Sequence, residues 1–199
     1  MSNEIPKEEE RWFQQREMER REEIRRRLEE AAEKARERRE MGSALGTSDE
    51  ALLERLQALS FDADTARVFD LLPLVHVAWA DGTVTTAERA AILEILEARG
   101  IQGHEQAFLL IEALLEKRPS EEFLEETLEI LAGIASNNQA LVQDIANFSV
   151  AVADASGGFF GFGNRISDAE RALIDRIAGR LGEPAQQAFQ TALQRRVQG

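Results

Sequence analysis

One pattern occurs twice in the chain, and it constrains the fold more than any other feature. The first copy is Ala80-Asp81-Gly82-Thr83-Val84-Thr85-Thr86-Ala87-Glu88-Arg89-Ala90. The second is Ala153-Asp154, then Ile166-Ser167-Asp168-Ala169-Glu170-Arg171-Ala172. Two residues separate Asp from Val in the first copy and eleven separate Asp from Ile in the second. Each copy runs on to an isoleucine, Ile95 or Ile177, and a glycine, Gly100 or Gly182. Thr85 with Glu88 and Ser167 with Glu170 have the spacing of a capping box, in which a hydroxyl and a carboxylate each satisfy a backbone N–H at a helix start. Val84 and Ile166 stand just before the cap, where an apolar staple sits. Gly82 suits a left-handed turn, because it has no Cβ to clash. Each copy therefore reads as a helix, a corner and a second helix, and the two hairpins are expected to be related by approximate symmetry.

The rest of the body is punctuated in the same way. Thr47 and Glu50 have capping-box spacing before Ala51–Leu59. Asp62 or Asp64 can cap a helix towards Ala80, with Pro73 kinking it or splitting it in two. A helix over His104–Lys117 is stopped by Pro119, and Ser120 caps the next, with Glu121 and Glu122 in its first turn. Leu124, Leu128 and Leu131 mark that helix's buried face, opposite a negative face that reads as solvated. Asn137 or Asn138 opens a helix to about Ala155, and Pro184 opens the last. The expectation is an all-α bundle of about seven helices over residues 49–199.

Residues 1–41 differ in kind. They hold 13 acidic and 12 basic residues, leaving 24 acidic and 12 basic for the remainder. Glu17–Arg21, Glu22–Arg26, Glu23–Arg27 and Glu30–Lys34 are i,i+4 pairs with the acid first, each contributing roughly 0.2–0.5 kcal/mol. The apolar stripe of Ile24, Leu28, Ala31 or Ala32, and Ala35 is too thin to bury a helix. This long charged N-terminal helix is expected to be a solvated helix or weak coiled coil, a homodimer contact, or a docking arm with Trp12 and Phe13 as anchors. Residues 42–48 read as a linker.

At the repeated corners the chain resembles the TerB-like family, all-helical domains named for a tellurite-resistance protein and including the N-terminal region of the DjlA co-chaperone. The resemblance rests on Val77-Ala78-Trp79-Ala80-Asp81-Gly82-Thr83-Val84 with Glu88, and on Val152-Ala153-Asp154 through Glu170 to Leu181-Gly182. The glycine-rich Ser156–Gly161 stretch is also similar. Coverage is about residues 65–182, and the arm lies outside it. The resemblance implies a TerB-like helical bundle and a metal-linked or stress-linked role, with Asp81, Glu88, Asp154, Asp168 and Glu170 as the suspected site for a divalent ion such as Ca²⁺. Hard cations take carboxylate oxygens, but the same glutamates already serve as caps. An EF-hand is excluded, because counting from either Asp places Ile92 or Arg165 where the bidentate Glu belongs.

Composition narrows the function further. With no cysteine, thiolate chemistry is excluded, and two histidines leave almost no room for a multi-histidine zinc or iron site. The net charge of −13 argues against nucleic acid as a partner, because phosphate is repelled. There is no Gly-x-Ser-x-Gly or His-Glu-x-x-His motif, and the chain reads as non-enzymatic. No apolar run approaches the roughly 20 residues of a membrane span, and the N-terminus has no signal-peptide pattern, so a cytoplasmic location is expected. Phe159, Phe160 and Phe162 on a glycine-rich loop either form a tip for a partner or a membrane surface, or fold back on the bundle. His76 reads as a core or boundary histidine and His104 as exposed. Two functions follow: a stress-response module that binds a protein partner, or a divalent-metal-binding protein of metal or tellurite stress.

Overall fold

The computed structural model describes residues 7–156 and 166–198. Among these the chain forms nine α-helices, one 3-10 segment and no strand. They are α1 (Lys7–Leu45), α2 (Glu50–Ala58), a 3-10 segment (Thr65–Leu71), α3 (Leu72–Ala78), α4 (Thr86–Ala98), α5 (Gln106–Glu116), α6 (Glu121–Ala135), α7 (Gln139–Ser156), α8 (Asp168–Leu181) and α9 (Glu183–Gln198).

Two helices form the centre. Every residue of α3 is buried, and α7 is buried along its length through Val142, Ile145, Ala146, Ser149, Val150, Val152 and Ala153. A helix without a polar face, as α3 is, belongs inside a bundle, whereas α7 keeps Asp144 at the surface. Around this pair the packing repeats: α3 lies against its following helices α4 and α5, and α7 lies against α8 and α9. The second helices also cross over, α4 packing on α7 and α8 packing on α3. The duplication seen in the corners thus extends to two units, α3–α4 and α7–α8; their following helices differ, since α9 packs closely on α8 whereas α5 packs on α3 and the 3-10 segment.

The punctuation is realised with instructive differences. Ser120 caps α6, its hydroxyl accepting from the Phe123 N–H at 3.2 Å. Asn138 accepts from the Leu141 N–H before α7, and Pro184 stands in the first turn of α9. Pro73 falls at the start of α3, so the stretch before it winds as a 3-10 segment rather than as one long helix. Asp62 and Thr65 close that segment's start with reciprocal bonds, Thr65 N–H to Asp62 Oδ1 at 2.8 Å and Asp62 N–H to Thr65 Oγ1 at 2.9 Å. The cap of α2 is Asp49, not Thr47. Asp49 Oδ1 takes the Ala51 and Leu52 N–H groups, while Thr47 Oγ1 takes that of Asp49.

Two expectations about the surface change. The acidic face of α6 is not merely solvated: Arg55 of α2 bridges Glu126 and Glu129. Arg176 of α8 holds Glu121 and Glu125, and Arg180 also reaches Glu125. Nor does α1 end at Met41. It continues to Leu45 through the residues read as a linker, and Met41 is fully buried. Gly42 makes this docking possible, since a Cβ there would lie 2.6 Å from the Thr47 carbonyl oxygen and 3.2 Å from a Leu53 methyl.

From residue 10 to residue 36, α1 is exposed on every side. Arg21–Glu17 and Arg27–Glu23 pair along its surface, and Arg26 turns to Glu30 rather than Glu22. At 1.5 Å per residue the whole helix is about 58 Å long, and among its described side chains only those of the last two turns or so are buried or half-buried. There Arg38 pairs with Glu50 and Glu54.

Candidate functional site

Both capping boxes form as the repeat predicts. The Thr85 N–H donates to Glu88 Oε2 at 2.7 Å, and the Glu88 N–H donates to Thr85 Oγ1 at 3.2 Å. The Ser167 N–H donates to Glu170 Oε2 at 2.6 Å, and the Glu170 N–H donates to Ser167 Oγ at 3.2 Å. Both glutamates are buried, at 1% and 2% exposure, which is rare for a carboxylate without such partners. Val84 and Ile166 pack on the core as staples. In the first corner Gly82 adopts φ +98°, and Asp81 Oδ1 takes the Thr83 N–H at 3.1 Å.

The two corners influence each other. Burial pushes the Glu88 carboxyl above the usual glutamate range; hydrogen bonds from Thr85 oppose this, and the charges of Glu170 and Asp81 add to the rise. Crossed packing of the two units accounts for that proximity, because it brings the N-termini of α4 and α8 towards the same central helices. Of the suspected metal ligands, Glu88 and Glu170 are therefore caps whose Oε2 atoms are already engaged. Asp154 is half-buried near the end of α7, and Asp168 is exposed in the first turn of α8. Among the described residues, no three His, Cys, Asp or Glu side chains are placed together to hold a metal ion.

The anchors proposed for partner binding divide in two. Trp12 and Phe13 stand on the exposed part of α1, 50% and 62% exposed. Their rings meet edge-to-face at 5.2 Å, and the Arg16 guanidinium covers Trp12 at 4.5 Å. Phe159, Phe160 and Phe162 lie outside the described residues.

Sequence reasoning missed two constellations. Arg99, just past α4, clamps Asp70 of the 3-10 segment through two bonds of 2.8 and 2.7 Å and lies 5.5 Å from the Phe148 ring of α7. This ties the first unit to the second. The other surrounds His76, which is 6% exposed and whose Nε2 is buried without a hydrogen-bond partner. Trp79, one turn on, donates its indole N–H to the Leu114 carbonyl at 2.9 Å. The pairing of His76 and Trp79 on one helix was the available signal; the residues that face them come from α6 and α8.

No helix of the described residues is long and apolar enough to cross a membrane. Neither curated proteins nor solved structures return a match to the chain. A family model described as tellurite resistance protein TerB matches residues 71–193. That span begins where the 3-10 segment meets α3 and ends within α9, so it contains both units and both capped corners. Matched over more than half its length, and with the duplicated hairpins inside the match, the chain belongs to the TerB family.

Proposed function

We propose that this TerB-family bundle is a non-enzymatic stress-response module that recruits a protein partner in the cytoplasm, with α1 as the recruiting arm. One observation carries the reading. The arm is rooted in the core at Met41, yet residues 10–36 bury nothing and present an aromatic pair at the far end. Exposed Trp and Phe at the tip of a well-formed helix are the residue types that dominate interface energetics once covered. A second copy of the chain is one such cover, through Ile24 and Leu28, which are 57% and 66% exposed. The net charge of −13 disfavours nucleic acid in that role.

Deletion of residues 1–36 tests this. The unfolding temperature of the truncated chain is expected to stay within about 2 °C of the full chain's, because residues 10–36 are all exposed. Dimers in sedimentation, or a partner retained by the full chain, should be lost, and Trp12→Ala with Phe13→Ala should lose them as well. A truncated chain that keeps every association would contradict the reading.

The electrostatic coupling of Glu88, Glu170 and Asp81 favours a second reading, a divalent-ion site at the facing corners. An ion there would compete with the N–H groups that Glu88 and Glu170 now accept from. Calorimetric titration of metal-stripped protein with Ca²⁺, Mg²⁺, Mn²⁺ and Zn²⁺ decides it. Saturable heat that Glu88→Gln abolishes supports this reading, since Gln preserves the capping box. No heat with any ion removes it.

A further inference from the structure

A cavity of about 240 Å³ opens between α3, the start of α6 and α8. Trp79, Leu124 and Leu173 give it an apolar wall, and His76 also lines it, with its Nε2 buried away from solvent and without a hydrogen-bond partner. Arg118 and Arg176 stand at its edge with Glu121 between them. Arg176 Nη1 donates to Glu121 Oε2 at 2.8 Å. Arg118 reaches Glu121 Oε1 only at 3.9 Å, too far for a hydrogen bond. The Arg118 guanidinium is therefore only loosely ion-paired, without a hydrogen bond, to the protein's own Glu121.

We propose that this cavity binds a small apolar acid, a body of about one ring bearing a single carboxylate, with Arg118 forking the carboxylate and Glu121 occupying its place when the site is empty. The size fits, since the cavity holds about eight waters at roughly 30 Å³ each and falls short of the 300 Å³ or more of drug-sized pockets. The chemistry fits because a planar guanidinium matches a carboxylate bidentately. The apolar wall takes the ring, which lies beside His76. The chain carries a net charge of −13, so a multiply charged anion is repelled where a single carboxylate beside two arginines is not. The carboxylate can come from a free organic acid or from the C-terminal residue of a polypeptide. The inference goes beyond the arm's role and stands on this cavity alone.

The test is a titration of the full chain with phenylacetate, followed through the His76 ring resonances by NMR, with His104 as the internal reference. Phenylacetate is expected to shift the His76 signals saturably, and phenylacetamide to bind at least about tenfold more weakly, for want of the charge-assisted bonds. Arg118→Gln should weaken phenylacetate about tenfold with the unfolding temperature unchanged, because its side chain is half-exposed. Glu121→Gln should instead tighten it several-fold by removing the internal competitor. Tighter binding of N-acetylphenylalanine than of phenylacetate identifies a polypeptide C-terminus as the source, and the reverse order identifies a free acid. No His76 shift at 10 mM acid, equal affinity for acid and amide, or weaker binding by Glu121→Gln would each overturn the proposal.

Discussion

Lowering the pH from 6.5 to 4 is expected to remove about 3 kcal/mol of stability through His76 alone. Burial brings the imidazole down from 6.5 to about 4; the Glu121 charge opposes the shift, and the charges of Arg118 and Arg176 reinforce it. The sign follows from which state takes the proton. Above 6.5 the ring is neutral in both states, and its contribution is complete. Below 6.5 the unfolded chain protonates while the folded one does not, so stability drains away until the pH reaches the folded value near 4. Carboxylates titrate in the same window, so the comparison must be with a variant. Denaturant unfolding of the protein and of His76→Gln at pH 7, 5.5 and 4 isolates the histidine. The variant should lose about 3 kcal/mol less than the parent across that range. Parallel profiles would mean that the ring is protonated in the folded state.

The second large effect is at the root of the arm. Met41→Ala is expected to cost about 2–4 kcal/mol, through lost transfer energy and the cavity left beneath α1. For a chain of this size that lowers the unfolding temperature by roughly 5–15 °C. Ile24→Ala and Leu28→Ala, on the same helix, should stay within about 0.5 kcal/mol, because their side chains are more than half exposed. Thermal unfolding of the three variants checks the contrast. Equal effects at all three positions would mean that the arm folds back onto the body.

How much of this was readable in the sequence depended on the range of each interaction. The corners were legible because a capping box is written within four consecutive residues. Two copies of it, each with its staple and preceding Ala-Asp, left little alternative to paired hairpins. The cap of α2 was less so, since Thr47 and Asp49 both precede Glu50 and only the backbone's path selects Asp49. The root of α1 read as a linker because a glycine followed by a serine usually marks one. Gly42 is there for a different reason: the Thr47 carbonyl comes too close for any side chain. The negative face of α6 looked solvated because Arg55, Arg176 and Arg180 are dozens of residues away in the chain. The same distance hid the cavity at His76, assembled from three helices that no local pattern links.

Hydrogen exchange along α1 in the full chain tests the central claim most directly. That claim is a strut rooted in a duplicated, self-sufficient bundle. Amides of residues 38–45 should exchange as slowly as those of α3 and α7, through global unfolding, while those of residues 10–36 exchange orders of magnitude faster by local fraying. Protection of residues 10–36 equal to that of the core in a monomer would contradict it.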